Sequence, residues 1–301
     1  MESFFLFGLG LLITAFVIPW VKKFSLRFEY VDRPGGDPLK VHDFAIPNSG
    51  GIVFFGIFSL IIIILFTLGK TNGFDALGLL LGGGLVFGLG VWDDLKMITP
   101  HFRLIGQILT GLILILSGIR IESVFYLSLP LTIFYVVGAI NAINMEDGLD
   151  GLAAGMALIS FASFCLLSAL RTQPLGLIIS SLMVGVLLGF LFYNFNPSSI
   201  FMGDNGSYFL GFVLAYLAVR FTSLDRFSTF LGPILIIGVP VLDAAYTILR
   251  RLKRRVSPFA GDRGHFYDQL TKKGLNVRQT VLICWAIQAA LAGIGVVIYF
   301  L

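Results

Sequence analysis

The chain alternates long apolar blocks with short polar segments. A helix that crosses a bilayer needs about 20 mostly apolar residues. Ten blocks qualify, near residues 3–20, 51–69, 76–92, 104–119, 129–145, 152–170, 175–193, 206–220, 229–249 and 280–300. Ser207 and Gly211 dilute the eighth. The pattern predicts an all-α integral membrane protein, a bundle of about ten transmembrane helices. Residues 1–301 read as one polytopic domain, with cytoplasmic loops near 21–50, 93–103, 146–151, 194–205 and 250–279. The first block has no basic segment before it and no small-residue cleavage site after it, so it reads as a retained membrane helix.

Composition excludes a soluble protein. Of 301 residues, 57% are apolar and 13% charged, whereas a soluble domain carries about 25% charged residues to coat its surface. Cys165 and Cys284 both lie inside apolar blocks, which leaves no disulfide framework and no cysteine zinc site. With the first connecting loop placed inside, sixteen of the 21 Lys and Arg fall on inner loops. By the positive-inside rule both termini face outward. Twelve of the 17 acids collect on that same inner face, and only Asp243 lies within a predicted helix. Acids crowded onto an already basic face point to a polar site there.

Four inner clusters carry candidate chemistry. Asp93-Asp94 ends the third block; paired carboxylates suit a hard cation or a base, and a negative charge opposes the dipole at a helix C-terminus. Asn141-Ala-Ile-Asn144 places two amides on one helical face, and Glu146-Asp147-Gly148-Leu149-Asp150-Gly151 follows as a turn. Asn194 precedes Phe201-Met202-Gly203-Asp204-Asn205-Gly206-Ser207, where glycines allow close approach of a phosphate and Phe201 offers an aromatic face. The longest inner loop holds Arg250-Arg251-Leu252-Lys253-Arg254-Arg255 and then Asp262-Arg263-Gly264-His265. Its basic run suits anionic lipid, and Arg263 and His265 suit a phosphate. Asp243 sits about 10 Å inside the inner boundary at 1.5 Å per residue, facing the bundle interior. Lys40 lies in a fifth, weaker segment ending in Asn48-Ser49-Gly50-Gly51. The small-residue pairs Gly84/Gly88 and Gly185/Gly189 read as helix packing. There is no Walker A sequence, because Ile64 stands where its first glycine belongs.

Carboxylates, amides and cations on one membrane face describe metal-assisted handling of a diphosphate beside lipid. A transporter would instead gather its polar residues near the midplane.

The order Asp93-Asp94, then Asn-Ala-Ile-Asn-x-x-Asp-Gly-Leu-Asp-Gly-Leu, then Phe-Met-Gly-Asp-x-Gly-Ser, then a basic loop with Ser-Pro-Phe and Asp-Arg-x-His, resembles the polyprenyl-phosphate N-acetylhexosamine-1-phosphate transferases, glycosyltransferase family 4. The resemblance covers nearly the whole chain. It implies transfer of N-acetylhexosamine-1-phosphate from a UDP-sugar, UDP-N-acetylglucosamine foremost, to undecaprenyl phosphate, releasing UMP, as the first lipid-diphosphate-sugar of a cell-envelope polysaccharide. The alternatives are the branch that uses UDP-N-acetylmuramoyl-pentapeptide and a Mg²⁺-dependent lipid or nucleotide-sugar carrier. Against the former, the loop after the ninth block reads His265-Phe266-Tyr267-Asp268, with Tyr and Asp where further histidines usually stand.

By the same resemblance, Asp204 and Asn144 hold Mg²⁺, for which Mn²⁺ could substitute. Asp93 and Asp94 orient or deprotonate the acceptor phosphate, and Arg103 contacts it. Phe201 stacks on uracil, Asp147, Asp150 and Asn194 fix the donor, and Arg263 and His265 neutralise diphosphate charge; apart from the resemblance, Lys40 in its weaker segment reads either as a contact for a diphosphate or as part of a plain surface loop. Asp243 belongs to a lipid-phosphate groove. The expected partners are the UDP-sugar, the polyprenyl phosphate, membrane lipids and a second copy in a homodimer, with no nucleic acid. The expected location is the inner or plasma membrane.

Overall fold

The computed structural model describes residues 2–33, 44–122, 125–258 and 263–301. Twelve helices and one two-stranded ribbon make up the described fold. They run α1 (Glu2–Arg27), β1 (Val31–Asp32), β2 (Ile46–Pro47), α2 (Gly50–Thr67), α3 (Gly73–Lys96), α4 (Pro100–Leu116), α5 (Phe125–Met145), α6 (Leu152–Leu170) and α7 (Pro174–Asn194), then α8 (Gly203–Phe221), α9 (Phe227–Ile236), α10 (Gly238–Lys253), α11 (Phe266–Lys272) and α12 (Val277–Tyr299). The strands pair antiparallel, Val31 opposite Pro47 and Asp32 opposite Ile46.

Each of the ten apolar blocks coincides with a helix, save that the ninth is divided between α9 and α10. Among the described residues seven helices are long and apolar enough to cross a membrane, or eight when α9 and α10 count as one span broken by a 90° bend. At 17 residues α4 is shorter than any of those seven. The polar opening turn of α8, with Asp204 and Asn205, leaves that helix outside the seven.

The weakness of the eighth block has a packing cause. Every residue of α8 except Asp204 and Arg220 is buried, because α2, α3, α5 and α6 pack around it. A helix that never meets lipid needs shape more than hydropathy, and glycines let its neighbours close in. A methyl at Gly211 would lie 2.5 Å from the Ile140 Cα of α5, and one at Gly82 would lie 2.9 Å from the Phe212 ring. The periphery shows the reverse: Phe4, Phe5, Leu12, Phe16 and Trp20 of α1 face outward, as a lipid-contacting surface requires.

The two glycine pairs behave differently. Gly185 and Gly189 pack α7 against α1, where a methyl at Gly185 would overlap the Phe7 carbonyl and one at Gly189 would come 2.8 Å from that of Leu11. Gly84 and Gly88 are looser, a methyl at Gly84 coming no nearer than 3.7 Å to the Phe55 ring of α2. A methyl at Gly88 would meet nothing within 4 Å. Both instead line a cavity of about 380 Å³ between α3 and α4, walled by Leu85, Leu89, Trp92, Phe102 and Leu109 among others. Sequence spacing alone cannot distinguish a glycine that admits a neighbour from one that leaves a groove.

Local signals set the helix ends. Asn72 caps α3, its side chain accepting from the Asp75 amide at 2.7 Å, and Asn276 with Gln279 forms a reciprocal cap on α12. Pro100 and Pro174 open α4 and α7 at positions whose N–H would have no helical partner.

Candidate functional site

The site grows from one junction, where the C-terminal end of α3 meets the N-terminal turn of α8. Gly203 begins α8 with φ +74°, and a methyl there would lie 2.9 Å from both Asn48 Oδ1 and Asp94 Oδ2. Glycine is therefore required twice over, by backbone conformation and by space. Asp94 takes up the unsatisfied amides of that turn: Oδ1 accepts from the Asp204 N–H at 2.9 Å and Oδ2 from the Asn205 N–H at 3.2 Å. It also accepts from Asn48 Nδ2 at 2.9 Å, the Tyr30 hydroxyl at 2.8 Å and Asn205 Nδ2 at 2.5 Å. Asp94 thus holds α2, α3, α8 and the chain before β1 in one register.

Asp93 is equally committed. It is 2% exposed, and it accepts from the Tyr208 hydroxyl at 2.6 Å, the Ile98 amide at 3.1 Å and Arg103 Nη2 at 3.0 Å. Arg103 Nε lies 2.6 Å from its other oxygen. The pair Asp93–Arg103 is a two-pronged ion pair linking α3 to α4. The sequence reading directs both residues to an acceptor phosphate; in the structure they are paired with each other.

Asp204 is different. Its Oδ1 accepts from Asn144 Nδ2 at 2.6 Å, and Asn144 Nδ2 also donates to Ser207 Oγ at 3.0 Å. Asn144 therefore offers its nitrogen to Asp204 and braces that carboxylate. One turn earlier Asn141 exchanges its amide with Gln107 of α4, with Nδ2 donating to Oε1 at 2.6 Å. Asp147, in the loop after α5, is exposed and lies near enough to Asp204 for their charges to interact. The protein walls around it, then the charges of Asp204, Asp94 and Asp150, push its carboxyl up to about 8 although the residue keeps contact with solvent. Neither Asp147 nor Asp204 forms an ion pair among the described residues.

The loop from Glu146 to Gly151 is tied to the segment after α7. Asn194 is buried; its Oδ1 accepts from the Gly151 amide at 3.1 Å and its Nδ2 donates to the Ile200 carbonyl at 2.9 Å. Asp150 accepts from Asn196 Nδ2 at 2.9 Å, and from the Ser198 amide and hydroxyl at 3.0 and 2.8 Å. Both residues, expected to fix the donor, are spent on joining two loops. Phe201 is half-buried, and its amide donates to the Pro47 carbonyl at 2.8 Å, which joins the third cluster to β2.

A second polar group lies on the other side of that loop. Asp243 of α10 is buried; His265 Nδ1 sits 2.5 Å from its Oδ2, and the Phe266 amide donates to its Oδ1 at 2.8 Å. Asp243 thus faces the bundle interior, as its depth predicts, and anchors α11. The His265 ring stacks on Tyr267 at 5.5 Å, and Arg263 lies 3.9 Å from Asp268. Glu146 is 1% exposed, and its Oε1 has no hydrogen-bond partner among the described residues. Burial, then the charges of Asp243 and Asp268, raises its carboxyl well above the usual range. A cavity of about 340 Å³ opens beside Asp243, lined by Val239, Leu242, Tyr246, Phe266 and Leu291 among others. Lys40 lies outside the described residues.

Sequence reasoning missed Tyr30, Asn205 and Tyr208. Tyr208 was within reach, since it follows Asp204 by one helical turn on the same face. Tyr30 carries no local signal, because only the fold brings it to Asp94.

The helical bundle and its carboxylate-rich junction define a multi-pass membrane protein with a polar site at one end. The description "Glycosyl transferase family 4" matches residues 76–222, a stretch that spans both aspartate clusters and α8. The probable undecaprenyl-phosphate N-acetylglucosaminyl 1-phosphate transferase of Bacillus subtilis is 31% identical, over 93% of this chain and 80% of its own. The decaprenyl-phosphate N-acetylglucosaminephosphotransferase of Mycolicibacterium smegmatis is 30% identical, over 91% of this chain and 76% of its own. The undecaprenyl-phosphate alpha-N-acetylglucosaminyl 1-phosphate transferase of Escherichia coli is 30% identical, over 95% of this chain and 81% of its own. The chain belongs to glycosyl transferase family 4.

Proposed function

We propose that this protein transfers N-acetylhexosamine-1-phosphate from a UDP-sugar, UDP-N-acetylglucosamine foremost, to a polyprenyl phosphate and releases UMP. Support comes from the relatives' shared activity and, in this chain, from one observation above others: Asp147 and Asp204 lie within electrostatic reach of each other, and neither forms an ion pair among the described residues.

That imbalance fits Mg²⁺. No group of three or more His, Cys, Asp or Glu is arranged as a complete metal cage among the described residues. Mg²⁺ needs no such cage, because it keeps several waters and takes one or two carboxylates together with substrate phosphate oxygens. Asp204 and Asp147 are the carboxylates that would hold it, with Asn144 fixing the orientation of Asp204. When bound, Mg²⁺ supplies neutralisation of the donor diphosphate.

The chain's own residues do the rest. Asp94 keeps the α8 amides occupied and so holds Asp204 at the end of a rigid, lipid-shielded helix. Arg103 brings positive charge to the same space while Asp93 fixes its direction. The polyprenyl phosphate is already an anion, so its oxygen attacks the sugar-linked phosphorus directly; that P–O bond forms as the bond to UMP breaks. Inversion at the transferred phosphorus would support direct displacement, and retention would exclude it. The cavity beside Asp243, with apolar walls, suits the start of the prenyl chain.

On this reading the chain crosses the inner or plasma membrane ten times with both termini outside, and works as a homodimer in cell-envelope polysaccharide synthesis. The deciding experiment is UMP release by detergent-purified protein supplied with undecaprenyl phosphate, Mg²⁺ and a panel of UDP-N-acetylhexosamines, beside Asp204→Ala. UMP that requires lipid and metal, and vanishes in the variant, supports the proposal and names the sugar. UDP-sugar uptake into sealed vesicles without UMP would turn the reading to a carrier.

A further inference from the structure

The loop from Glu146 to Gly151 carries Asp147, yet among the described residues the Asp147 side chain makes no hydrogen bond that would set its height. Shape sets it instead. Three glycines in and just after the loop each face an aromatic ring, and each ring comes from a different part of the chain. A methyl at Gly151 would lie 3.1 Å from Phe195, which follows α7, and one at Gly155 would overlap the Trp285 indole of α12. One at Gly148 would overlap the Tyr267 hydroxyl of α11 and come 2.6 Å from its Cζ. Phe195 and Trp285 also touch each other, with ring centroids 5.6 Å apart, and Trp285 Nε1 donates to the Leu152 carbonyl at 3.3 Å. These rings belong to a small apolar cluster separate from the main core, built on Leu152, Met156, Val239 and Cys284.

Of the three, Tyr267 bears on the residue next to Asp147, and its own seat is tied to α10. His265 stacks flat against it, with 5° between the rings, and both His265 and the Phe266 amide are held by Asp243. Tyr267 is 7% exposed. Its ring, largely buried, offers the loop a fixed surface.

We propose that Tyr267 is a positioning residue for the transfer reaction: pressed against Gly148 and seated by the Asp243–His265 pair, it sets the distance between Asp147 and Asp204. The inference rests on the proposed transferase reading. It also assigns Asp243 a second consequence, because whatever moves α10 reaches Asp147 through α11 and Tyr267.

The test is steady-state UMP release by the full-length protein in detergent for four forms: parent, Gly148→Ala, Tyr267→Leu and the double variant. A displacement of about 1 Å at a reacting centre costs on the order of 100-fold in rate. Gly148→Ala is expected to lower kcat by about that factor while the donor KM stays within about threefold. The double variant, in which removal of the ring restores room, is expected to regain at least about tenfold over Gly148→Ala. This coupling has the sign opposite to two independent structural losses. Gly148→Ala at parental kcat, or a double variant no faster than Gly148→Ala, would overturn the proposal. Should Gly148→Ala not accumulate as folded protein, a folded and active double variant supports the contact, and failure of both overturns it. A parent that releases no UMP overturns the transferase reading and this inference together; an active parent with uncoupled variants overturns this inference alone.

Discussion

The bend between α9 and α10 depends on one side chain, and its loss has a calculable cost. A break inside an apolar bundle strands backbone groups that water would otherwise satisfy. Gln288 of α12, fully buried, serves them: its Oε1 accepts from the Val239 amide at 2.8 Å, and its Nε2 donates to the Ile236 carbonyl at 2.8 Å and to Ser160 Oγ at 3.0 Å. In Gln288→Leu the Ile236 carbonyl keeps a donor, because Ser160 Oγ also reaches it at 2.9 Å. The Val239 amide, in the first turn of α10, loses its acceptor. An orphaned buried donor costs about 1–3 kcal/mol, partly offset by about 1 kcal/mol from burying leucine's methyl groups, so a net loss of up to about 2 kcal/mol is expected. Ser160→Ala alone should cost less, since Gln288 then covers Ile236, and the double variant should lose more than the sum of the singles. The assay is equilibrium unfolding in mixed micelles, with hydrogen exchange at Val239 as the local readout. Unchanged stability together with an equally protected Val239 amide would refute the argument. Activity should fall as well, because α10 begins at this bend and carries Asp243 one turn and a half further on.

Three further outcomes follow from the geometry. Asp94→Asn places a donor among five donors, so it should lower the unfolding temperature and remove activity; a variant as stable as the parent would exclude Asp94 as the organiser of the α8 turn. Asp147 has its pKa raised in the fold to about 8, so its proton stabilises the folded state most below the ordinary carboxylate range, and that contribution is lost as pH rises through about 8. A cation must displace that proton, so Mg²⁺-induced thermal stabilisation should be larger at about pH 8.5 than at about pH 6.5 and should flatten in Asp147→Asn; equal shifts in both proteins would count against Asp147 as a ligand. Gly185→Ala drives a methyl into the Phe7 carbonyl and should cost about 1–3 kcal/mol, whereas Gly88→Ala meets open space and should be neutral or gain up to about 1 kcal/mol from helix propensity. Equal effects of the two alanines on unfolding would sink the distinction between a packed and an open glycine.

The positions of the helices were readable from hydropathy because lipid imposes one requirement, an apolar stretch of sufficient length, on whatever faces it. That requirement says nothing about a helix enclosed by others, and α8 shows the consequence: it scores weakest in the sequence and is buried most completely. The clusters around Asp93, Asn144, Asp150 and Asp204 were readable for a related reason, since polar groups near a membrane are costly unless something satisfies them. What satisfies them was not readable. Asp93 meets Arg103, ten residues on, but it also meets Tyr208, and Asp94 gathers Tyr30 and Asn205; partners so distant along the chain leave no period or spacing to detect.

Composition and pattern by themselves determined a membrane-embedded helical bundle with its acids gathered on one face, because the solvent and the cost of burying charge act on each segment separately. Only the tertiary structure decided which acids are held by protein donors, as Asp93, Asp94, Asp150 and Asp243 are, and which stand without an ion pair among the described residues, as Asp147 and Asp204 do. It likewise decided that Gly148 leaves room for Tyr267 while Gly88 leaves a groove. Occupancy of an oxygen and of a volume are properties of neighbours, and neighbours are chosen when the chain folds.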